Sequence, residues 1–348
     1  MAGAHDLKDR IEERVNTGLL GQWYPVAKSS EVQPGKPFGV KALGQHIVLW
    51  RDKAGKIQCV EDYCPHRGAR MSRGEVHNGH IACRYHGVVV DGSGTIVSVP
   101  AMPDCPLEGR KAVQAYAVTE LYDAIFAYFP SVEAPTPPPL TMPEEFNDPE
   151  WTGFLCASPW ACNYRYALDN LADPMHGCFL HADSFTLAYG SKQDLMKLDK
   201  AEDGFIVSRV NQQGKNFDYT HMVFGSATYC RLDIPYPKAA GPGSFMRILG
   251  YCLPVDENNC RVFFWRMRQV TGFERDSWRF LYRAKLEPRH WKVLEQDREM
   301  LSAMPDDARK REMLYQHDIG VSRIRQILTR MAKSQIAAED AAAARSAG

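Results

Sequence analysis

Residues 64–68 read Cys-Pro-His-Arg-Gly, and residues 83–87 read Cys-Arg-Tyr-His-Gly. Each of these two stretches carries one thiol and one imidazole close together. Between them they offer four side chains that bind transition metals well: Cys64, His66, Cys83 and His86. Glycine and arginine surround the four, as is usual in loops, and strand-like runs lie on either side. The two stretches therefore indicate a metal site carried by two matched loops.

The ligand set distinguishes between two kinds of metal site. A Rieske [2Fe-2S] cluster uses two cysteines on one iron and two histidines on the other, which raises its potential relative to an all-cysteine cluster. A structural zinc site is the alternative, but such sites space their paired cysteines two to four residues apart. Here each half of the motif holds a single cysteine, and sixteen residues lie between His66 and Cys83. We therefore expect the four side chains to hold a Rieske cluster.

The region around the two stretches, residues 21–130, is rich in short strand-like runs. His46–Arg51 and Lys56–Glu61, for example, flank a turn at residues 52–55 that contains Asp and Gly. Short runs separated by such turns are typical of antiparallel strands in a small barrel or sandwich. We therefore predict an all-β N-terminal domain that carries the cluster.

A proline-rich stretch, residues 131–149, follows this domain and suits a semi-rigid linker, because prolines at this density exclude a helix. Residues 150–335 mix both periodicities and are predicted to form an α+β domain. Its helix-like stretches are 163–176, 288–304 and 308–333, and its clearest strand-like ones are 245–252 and 261–268. A helical segment over residues 1–20 precedes the first domain, and the Ala-rich tail over residues 336–348 is expected to fray.

The bulk composition excludes several classes of function. Lys and Arg number 42, as do Asp and Glu, so the net charge is zero and nothing favours a nucleic acid or a membrane surface as partner. The first twenty residues are charged and lack the apolar core of a secretory signal, and no apolar run is long enough to span a membrane. Ten cysteines without a disulfide pattern fit a reducing compartment, so we expect a cytoplasmic protein.

A second set of candidate ligands lies in residues 169–181. His176 and His181, with carboxylates nearby, suit a 2-His-1-carboxylate iron(II) site. On an ideal helix the two would point about 140° apart, so sharing a metal requires a break in the helix, for which Pro174 and Gly177 are well placed. Two histidines at this spacing are weak evidence by themselves. A Rieske cluster only carries electrons, however, so a second redox centre is expected in the same chain.

Both sets of residues resemble those of the Rieske non-heme iron ring-hydroxylating oxygenases. Residues 64–68 and 83–87 look like the ligand loops of that family, and they lack the additional cysteines of respiratory Rieske proteins. The segment from Asp173 to His181 resembles the family's Asp-x-x-His-x(4)-His iron motif. Residues 22–26 resemble its opening strand. The helix at 317–331 resembles the end of its shorter members, which are similar to vanillate O-demethylase and dicamba monooxygenase.

The resemblance implies a fold and a set of roles. It implies an α+β protein, with an N-terminal all-β Rieske domain and a C-terminal domain whose central antiparallel sheet is flanked by helices. His176 and His181 would be ligands of a mononuclear Fe(II), and Asn170 and Asp173 would be catalytic residues. It also implies a head-to-tail homotrimer, in which Asp173 of one chain meets His86 or His66 of the next and so links the two metal centres.

Asp297 is predicted to be the third iron ligand, partly from its place on a helix. Pro288 opens a helix that Pro305 ends, and at 100° per residue Asp297 falls within its apolar stripe. The stripe comprises Trp291, Val293, Leu294, Met300, Leu301 and Met304. A carboxylate there is costly unless it is paired or metal-bound, and a salt bridge is the alternative. Three weaker candidates for the same role are Asp306, Asp307 and Asp318.

These features together predict the terminal oxygenase component of a Rieske system. It would use O2 to hydroxylate or O-demethylate a small aromatic substrate. No dinucleotide-binding motif is present, so electrons are expected from a ferredoxin, a ferredoxin-like reductase, or both. A cis-dihydroxylating aromatic dioxygenase is the alternative within enzymes, and an electron-transfer Rieske protein is the alternative from another class. Four arginines near the cluster are candidates for docking an acidic ferredoxin: Arg67, Arg70, Arg73 and Arg84.

Overall fold

The structure is a computed structural model that describes residues 2–184, 187–236, 245–305 and 307–346. The chain divides into two compact units. One unit is Leu20–Pro138, and the other combines Met1–Leu19 with Pro139–Gly348. The division after Pro138 falls inside the proline-rich stretch.

The unit Leu20–Pro138 is built of short antiparallel strands. They are β1 (Gln22–Lys28), β2 (Phe38–Ala42), β3 (Gln45–Arg51), β4 (Ile57–Glu61), β5 (Glu75–His77), β6 (His80–Ala82), β7 (Val89–Val90), β8 (Ile96–Ser98), β9 (Val118–Leu121) and β10 (Ala124–Phe129). They form three sheets, in the orders β1-β10-β9, β2-β3-β4 and β5-β6-β7-β8. Trp50 is buried in the core, and its indole N–H donates to the Gly79 carbonyl (3.0 Å). The prediction of an all-β N-terminal domain is confirmed.

The second unit is organised around one antiparallel sheet, with strand order β11-β17-β16-β15-β14-β13-β12. Its strands are β11 (Trp151–Trp160), β12 (Met196–Ala201), β13 (Gly204–Arg209), β14 (Tyr219–Phe224), β15 (Thr228–Pro235), β16 (Phe245–Asp256) and β17 (Asn259–Gln269). Its helices are α1 (Ala2–Thr17), α2 (Tyr164–Leu171), α3 (Gly177–Leu180), α4 (Gly272–Leu281), α5 (Glu287–Ser302), α6 (Ala308–Arg311) and α7 (Ile319–Ser346). A π-helical turn, Tyr282–Leu286, joins α4 to α5. The predicted α+β class is confirmed.

One face of this sheet packs against helices and forms the largest core. Phe264 on β17 and Ile248 on β16 are buried in it together with Leu294 and Leu301 of α5. Side chains alternate between the two faces of a strand, so Arg266 lies on the same face as Phe264, two residues along. This alternation places two buried arginines of β17, Arg266 and Arg268, on the helix-covered face of the sheet.

Helix boundaries differ from the prediction in two places. The helix predicted over 163–176 ends at Leu171, and the one predicted over 308–333 is α6, a 3-10 turn at Gln316–Asp318 and then α7. Periodicity alone did not locate these ends, because the charged residues between α6 and α7 bind other elements. Glu312, for example, lies between α6 and α7 and binds Arg325 of α7, which also binds Asp169 of α2.

The Ala-rich tail does not fray, contrary to expectation. Residues up to Ser346 continue α7 as helix. Ile336 is buried, and two ion pairs join this part of α7 to α1, between Arg10 and Asp340 (2.7 Å) and between Arg14 and Glu339 (2.9 Å). Contact with α1, which lies over 300 residues earlier in the chain, stabilises the end of the helix. None of the helices within the described ranges is long and apolar enough to cross a membrane.

Candidate metal centres

The two Cys/His loops of the β-rich unit have the same backbone geometry. In each loop the N–H of the cysteine donates to the carbonyl of the residue five positions later (2.8 Å). The N–H of the glycine four positions after the cysteine donates back to the carbonyl of that cysteine (2.8 Å). These two glycines, Gly68 and Gly87, have φ of 74° and 77°. That is the left-handed region in which glycine is favoured. The chain therefore forms two similar turns, one around Cys64 and one around Cys83.

The four side chains divide into a thiol pair and an imidazole pair. The thiols of Cys64 and Cys83 lie next to each other and are both buried. Burial, together with the neighbouring Cys83 thiol, raises the pKa of Cys64. The rings of His66 and His86 lie 4.5 Å apart, and His66 is exposed. Two adjacent thiols on the buried side and two adjacent imidazoles towards the surface match the donor set of a Rieske cluster.

In the second unit, His176, His181 and Asp297 come together. Each offers one ligand atom, and these atoms all lie within 4.8 Å of one another. Oδ1 of Asp297 lies 3.5 Å from Nε2 of His176 and 3.4 Å from Nε2 of His181. All three side chains are largely buried. Two imidazoles and one carboxylate are the donor set of a 2-His-1-carboxylate iron site, so these residues could hold such an ion.

The ring orientation of each histidine is set by its other nitrogen. Nδ1 of His176 lies 2.6 Å from the backbone oxygen of Asp173, and Nδ1 of His181 lies 2.9 Å from Oε1 of Gln296. An oxygen acceptor at Nδ1 places the proton there and leaves the Nε2 lone pair free to bind a metal. The two rings therefore present Nε2 towards the Asp297 carboxylate. The donor atoms of His176, His181 and Asp297 together suit a divalent cation bound between them.

Asp297 is held as an anion. Burial alone would raise the pKa of Asp297, but the neighbouring His176 and His181 outweigh it and lower this pKa to about 2. Asn170 on α2 also donates from Nδ2 to Oδ1 of Asp297 (3.3 Å). The predicted catalytic residue Asn170 thus contacts the carboxylate directly. The carboxylate attracts positive charge into this space, as a metal-binding site requires.

The break in the helix lies beside His176. Helix α2 ends at Leu171, and α3 begins after His176, which caps it. Gly177 allows close packing here, because a Cβ at this position would meet the Phe217 ring at 2.1 Å. The Phe217 ring centroid lies 5.3 Å from that of His176. A residue without a side chain therefore lets Phe217 press against the histidine.

The remaining carboxylates have other surroundings. Asp173 is half-buried, and its Oδ1 accepts from the Met175 N–H (2.8 Å). Asp307 pairs with Arg311 (2.8 Å), and Asp318 accepts from the Tyr315 N–H (2.8 Å). Asp306 lies outside the described residues. The part of the chain that the structure describes offers one group of metal-ligating residues of this kind, His176, His181 and Asp297.

The predicted apolar stripe of α5 is partly wrong. The residues that α5 buries are His290, Leu294, Asp297 and Leu301, whereas Met300 and Met304 are 51% and 40% exposed. The helix thus buries positions i, i+4, i+7 and i+11, which lie along one face. Two polar residues, His290 and Asp297, therefore share the buried face, and the sequence analysis had not selected His290.

A cavity of about 730 Å³ lies beside the three candidate ligands. Its wall is mainly apolar, with residues from β15, β16, β17 and α5: Leu232, Ile234, Met246, Ile248, Phe264, Val293 and Leu294. Arg266 and His290 are buried polar residues in the same wall. The sequence analysis did not identify them, although an arginine within the apolar run of β17 was a usable signal. An apolar cavity next to a candidate metal site is where a small substrate would bind.

Comparison with family models assigns both units. Residues 22–117 match the Rieske [2Fe-2S] domain. Residues 160–334, just over half of the chain, match the vanillate O-demethylase oxygenase C-terminal domain. The chain belongs to the Rieske oxygenase family. A Rieske domain binds a [2Fe-2S] cluster, and this oxygenase family uses a mononuclear iron at its catalytic site.

Two of the similar curated proteins are oxygenase subunits of O-demethylases. The vanillate O-demethylase oxygenase subunit of Pseudomonas sp. (strain HR199 / DSM 7063) is 35% identical over 162 residues, covering 47% of this chain and 45% of the relative. The 5,5'-dehydrodivanillate O-demethylase oxygenase subunit of Sphingobium sp. is 25% identical over 265 residues, covering 72% and 59%. The chain thus spans about half the length of these curated relatives.

Solved structures share the fold over nearly the whole chain. Dicamba monooxygenase bound to dicamba has a TM-score of 0.70 at 19% identity, covering 93% of this chain and 99% of that one. The oxygenase of carbazole 1,9a-dioxygenase, in complex with its ferredoxin, has a TM-score of 0.73 at 21% identity, covering 92% and 91%. At sequence identities of 19% and 21%, the structural similarity shows a shared fold.

Proposed function

We propose that this chain is the terminal oxygenase component of a Rieske system, which uses O2 to hydroxylate or O-demethylate a small aromatic substrate. The observation that carries the proposal is the group His176, His181 and Asp297 at the wall of an apolar cavity. A mononuclear iron held by such residues supplies O2-activating chemistry. The family membership and the similarity to O-demethylase oxygenase subunits support the same function.

Each protein group has a definite task in this proposal. Cys64, His66, Cys83 and His86 hold the [2Fe-2S] cluster, and the second centre is held by His176, His181 and Asp297. Gln296 and the Asp173 carbonyl orient the two imidazoles, while Asn170 orients the carboxylate. The apolar wall excludes water and places the substrate beside the ligands. In this way the protein keeps reactive chemistry away from solvent.

We further propose a homotrimer in which Asp173 of one chain meets His86 or His66 of the next. Asp173 suits this link because its backbone oxygen holds the His176 ring while its carboxylate stands apart from the three candidate ligands. Asp173→Ala should then keep three irons per chain and slow electron transfer from the cluster to the second site, measured by single-turnover kinetics. Loss of the mononuclear iron in this variant would instead make Asp173 a ligand.

The electron donor is proposed to be an acidic ferredoxin or a reductase domain of that type. Four exposed arginines surround the ligand loops: Arg67, Arg70, Arg73 and Arg84. Within the described ranges none of them forms an ion pair, and Arg70 donates to the backbone oxygen of Asp62. Unpaired positive charge around a partly exposed cluster favours an acidic partner. The ten cysteines are buried and none is in a disulfide, which suits a reducing compartment, and we propose the cytoplasm.

Metal content and isotope labelling test the proposed function. The purified holoprotein, with a reductase system and a panel of methoxylated and unsubstituted aromatic compounds, is supplied with ¹⁸O2. Three irons per chain are expected, with formaldehyde released from a methoxy group or one ¹⁸O atom incorporated by hydroxylation. Two ¹⁸O atoms in a cis-diol would show a dioxygenase instead. Two irons per chain and no oxidised product would leave only an electron-transfer protein.

A further inference from the structure

An exposed carboxylate, that of Asp183, is held by two side chains of α5. Asp183 lies two residues after His181, in the segment that follows α3. Its Oδ1 accepts from Nε2 of Gln296 (2.8 Å), and its Oδ2 pairs with Lys292. Lys292 and Gln296 are four residues apart, so their side chains lie on the same side of the helix. We call these three residues the latch, because they join the segment after α3 to α5.

The latch lies beside two of the three candidate iron ligands. Asp183 follows His181 closely in the chain, and Gln296 directly precedes Asp297. His181 stands at the end of α3 and Asp297 on α5, so the two ligands belong to elements that are distant in the chain. The hydrogen bond between Asp183 and Gln296 restrains both elements at positions next to the ligands. The latch therefore helps to keep His181 at a fixed distance from Asp297.

The hydrogen bonds of the latch also have a fixed direction. An ionised carboxylate has no proton, so Asp183 can only accept, and the Gln296 side chain must turn its NH2 group towards it. The other end of the amide, Oε1, then faces Nδ1 of His181 (2.9 Å). An amide oxygen can only accept, so Nδ1 of His181 carries the ring proton. Asp183 thus determines the tautomer of His181 through the intervening amide of Gln296.

The tautomer of His181 decides whether its other nitrogen can bind a metal. With the proton on Nδ1, the Nε2 lone pair is free, and Nε2 lies 3.4 Å from Oδ1 of Asp297. The opposite orientation of the Gln296 amide would direct its NH2 group at Nδ1 and favour a proton on Nε2, which would block metal binding. An amide can adopt either orientation, so the group at its far end makes the choice. That group is the carboxylate of Asp183.

The latch is placed to act on the metal site rather than on the fold. The side chains of Asp183 and Lys292 are 52% and 64% exposed. Exposed ion pairs of this kind contribute little to the free energy of unfolding, because solvent screens them. The ring that the latch orients is in different surroundings, since the His181 side chain is only 2% exposed and water competes little for its nitrogens. Substitutions in the latch should therefore alter metal binding and leave the fold intact.

We propose that the three latch residues are positioning residues, which fix the tautomer of His181 and thereby control how tightly the iron of the second site is held. The inference rests on the proposed function, because it requires iron at the three candidate ligands. Loss of a residue that orients a metal ligand typically weakens metal binding about 10–100-fold. Lys292 acts only through Asp183, so its removal should have the smallest effect of the three.

Retention of the mononuclear iron tests the latch. The holoprotein is exposed to the Fe(II) chelator ferrozine, and the Rieske absorption shows that the fold stays intact. Gln296→Leu and Asp183→Ala should each lose this iron at least about tenfold faster than the unmodified protein. The EPR spectrum of the nitric oxide complex of Fe(II) should change as well. Glu295→Ala is the matched control, because Glu295 is a neighbouring surface carboxylate paired with Arg298, and it should retain iron normally. Unchanged retention in both latch variants would overturn the inference.

A double variant separates the tautomer from simple packing. Gln296→Glu alone sets two carboxylates against each other, and Asp183→Asn alone no longer dictates which end of the Gln296 amide faces His181. When both substitutions are combined, the new carboxylate faces His181 and the new amide donates to it, so Nδ1 again has an acceptor. The double variant should therefore retain iron better than either single variant. Additive losses would refute the control of the tautomer.

The outcomes distinguish the latch from the proposed function. Three irons per chain with unaltered retention in every latch variant refute the latch and leave the oxygenase function standing. Faster loss of iron from the variants of a protein that oxidises no aromatic compound supports the latch and refutes the oxygenase function. Two irons per chain in the unmodified protein refute both.

Discussion

Two histidines from residues 176–181 meet Asp297, which comes from a helix more than 100 residues later. Asp297→Ala should remove the mononuclear iron and all turnover while the Rieske visible spectrum remains, because only the second site loses its carboxylate. The measurements are iron per chain, absorption and product formation. Glu295→Ala is the control, since Glu295 lies on the same helix and pairs with Arg298 at the surface. Three irons per chain with near-normal activity would contradict the assignment.

His290 also makes the protein sensitive to acid. Its pKa is lowered from 6.5 to about 3 by burial and by Arg266, Arg268 and Arg289. The unfolded chain therefore takes up a proton at this position first, as pH falls below about 6.5. This contribution to the free energy of unfolding is fully present above that pH. It decreases towards pH 3 by about 1.4 kcal/mol per pH unit.

The pH effect is measured by urea unfolding between pH 7.5 and 5. His290→Gln cannot take up this proton, so its stability should decline less steeply than that of the unmodified protein over the same range. The comparison is between slopes, because the substitution also changes absolute stability. Parallel curves for the two proteins would show that His290 is not the group responsible.

At the scale of elements, α2, α6 and α7 are joined by one ionic network. Asp169 of α2 binds Arg309 of α6 (2.5 Å) and Arg325 of α7 (2.7 Å), and Arg325 also binds Glu312. These side chains are largely buried, with Asp169 14% exposed. Asp169→Asn should therefore destabilise the protein by roughly 3–5 kcal/mol, the usual cost of removing one partner from a buried ion pair.

A surface pair provides the comparison for this network. Arg283 and Glu287 form an i,i+4 ion pair (3.1 Å), with Arg283 62% exposed. Glu287→Gln should change the free energy of unfolding by no more than about 0.5 kcal/mol, because solvent screens such pairs. Urea denaturation of the Asp169→Asn and Glu287→Gln variants measures the two changes in the free energy of unfolding. Similar small losses would show that the buried network does not hold the three helices together.

At the scale of the whole molecule, charge around the cluster controls association with the donor. The rate of cluster reduction by an acidic ferredoxin should fall steeply as ionic strength rises, because exposed charges are screened within about 10 Å at 0.1 M salt. Replacing Arg67 and Arg84 together with Gln should lower this rate several-fold at low salt and flatten its salt dependence. Arg311→Gln, on an exposed part of the other unit, should have no effect. Stopped-flow absorption follows the reaction, and a rate indifferent to salt would exclude docking through these arginines.

The sequence by itself determined those features whose parts lie close together in the chain. The two ligand loops could be recognised because the spacing of cysteine, histidine and glycine within each loop is local, and each loop closes its own hydrogen bonds. The buried position of Asp297 could be predicted because a helix repeats every 3.6 residues, so one run of residues reveals which face is covered. The all-β and α+β character of the two regions followed from the same kind of local periodicity.

Only the tertiary structure decided the rest. Whether α7 frays depends on α1, and the carboxylate beside His176 and His181 comes from α5. In the sequence Arg266 is marked only by its place within an apolar run, and His290 by nothing. Their burial in the wall of one cavity appears only when β17 and α5 come together. Burial, desolvation and hydrogen-bond partners are set by residues far apart in the chain, and no local pattern contains that information.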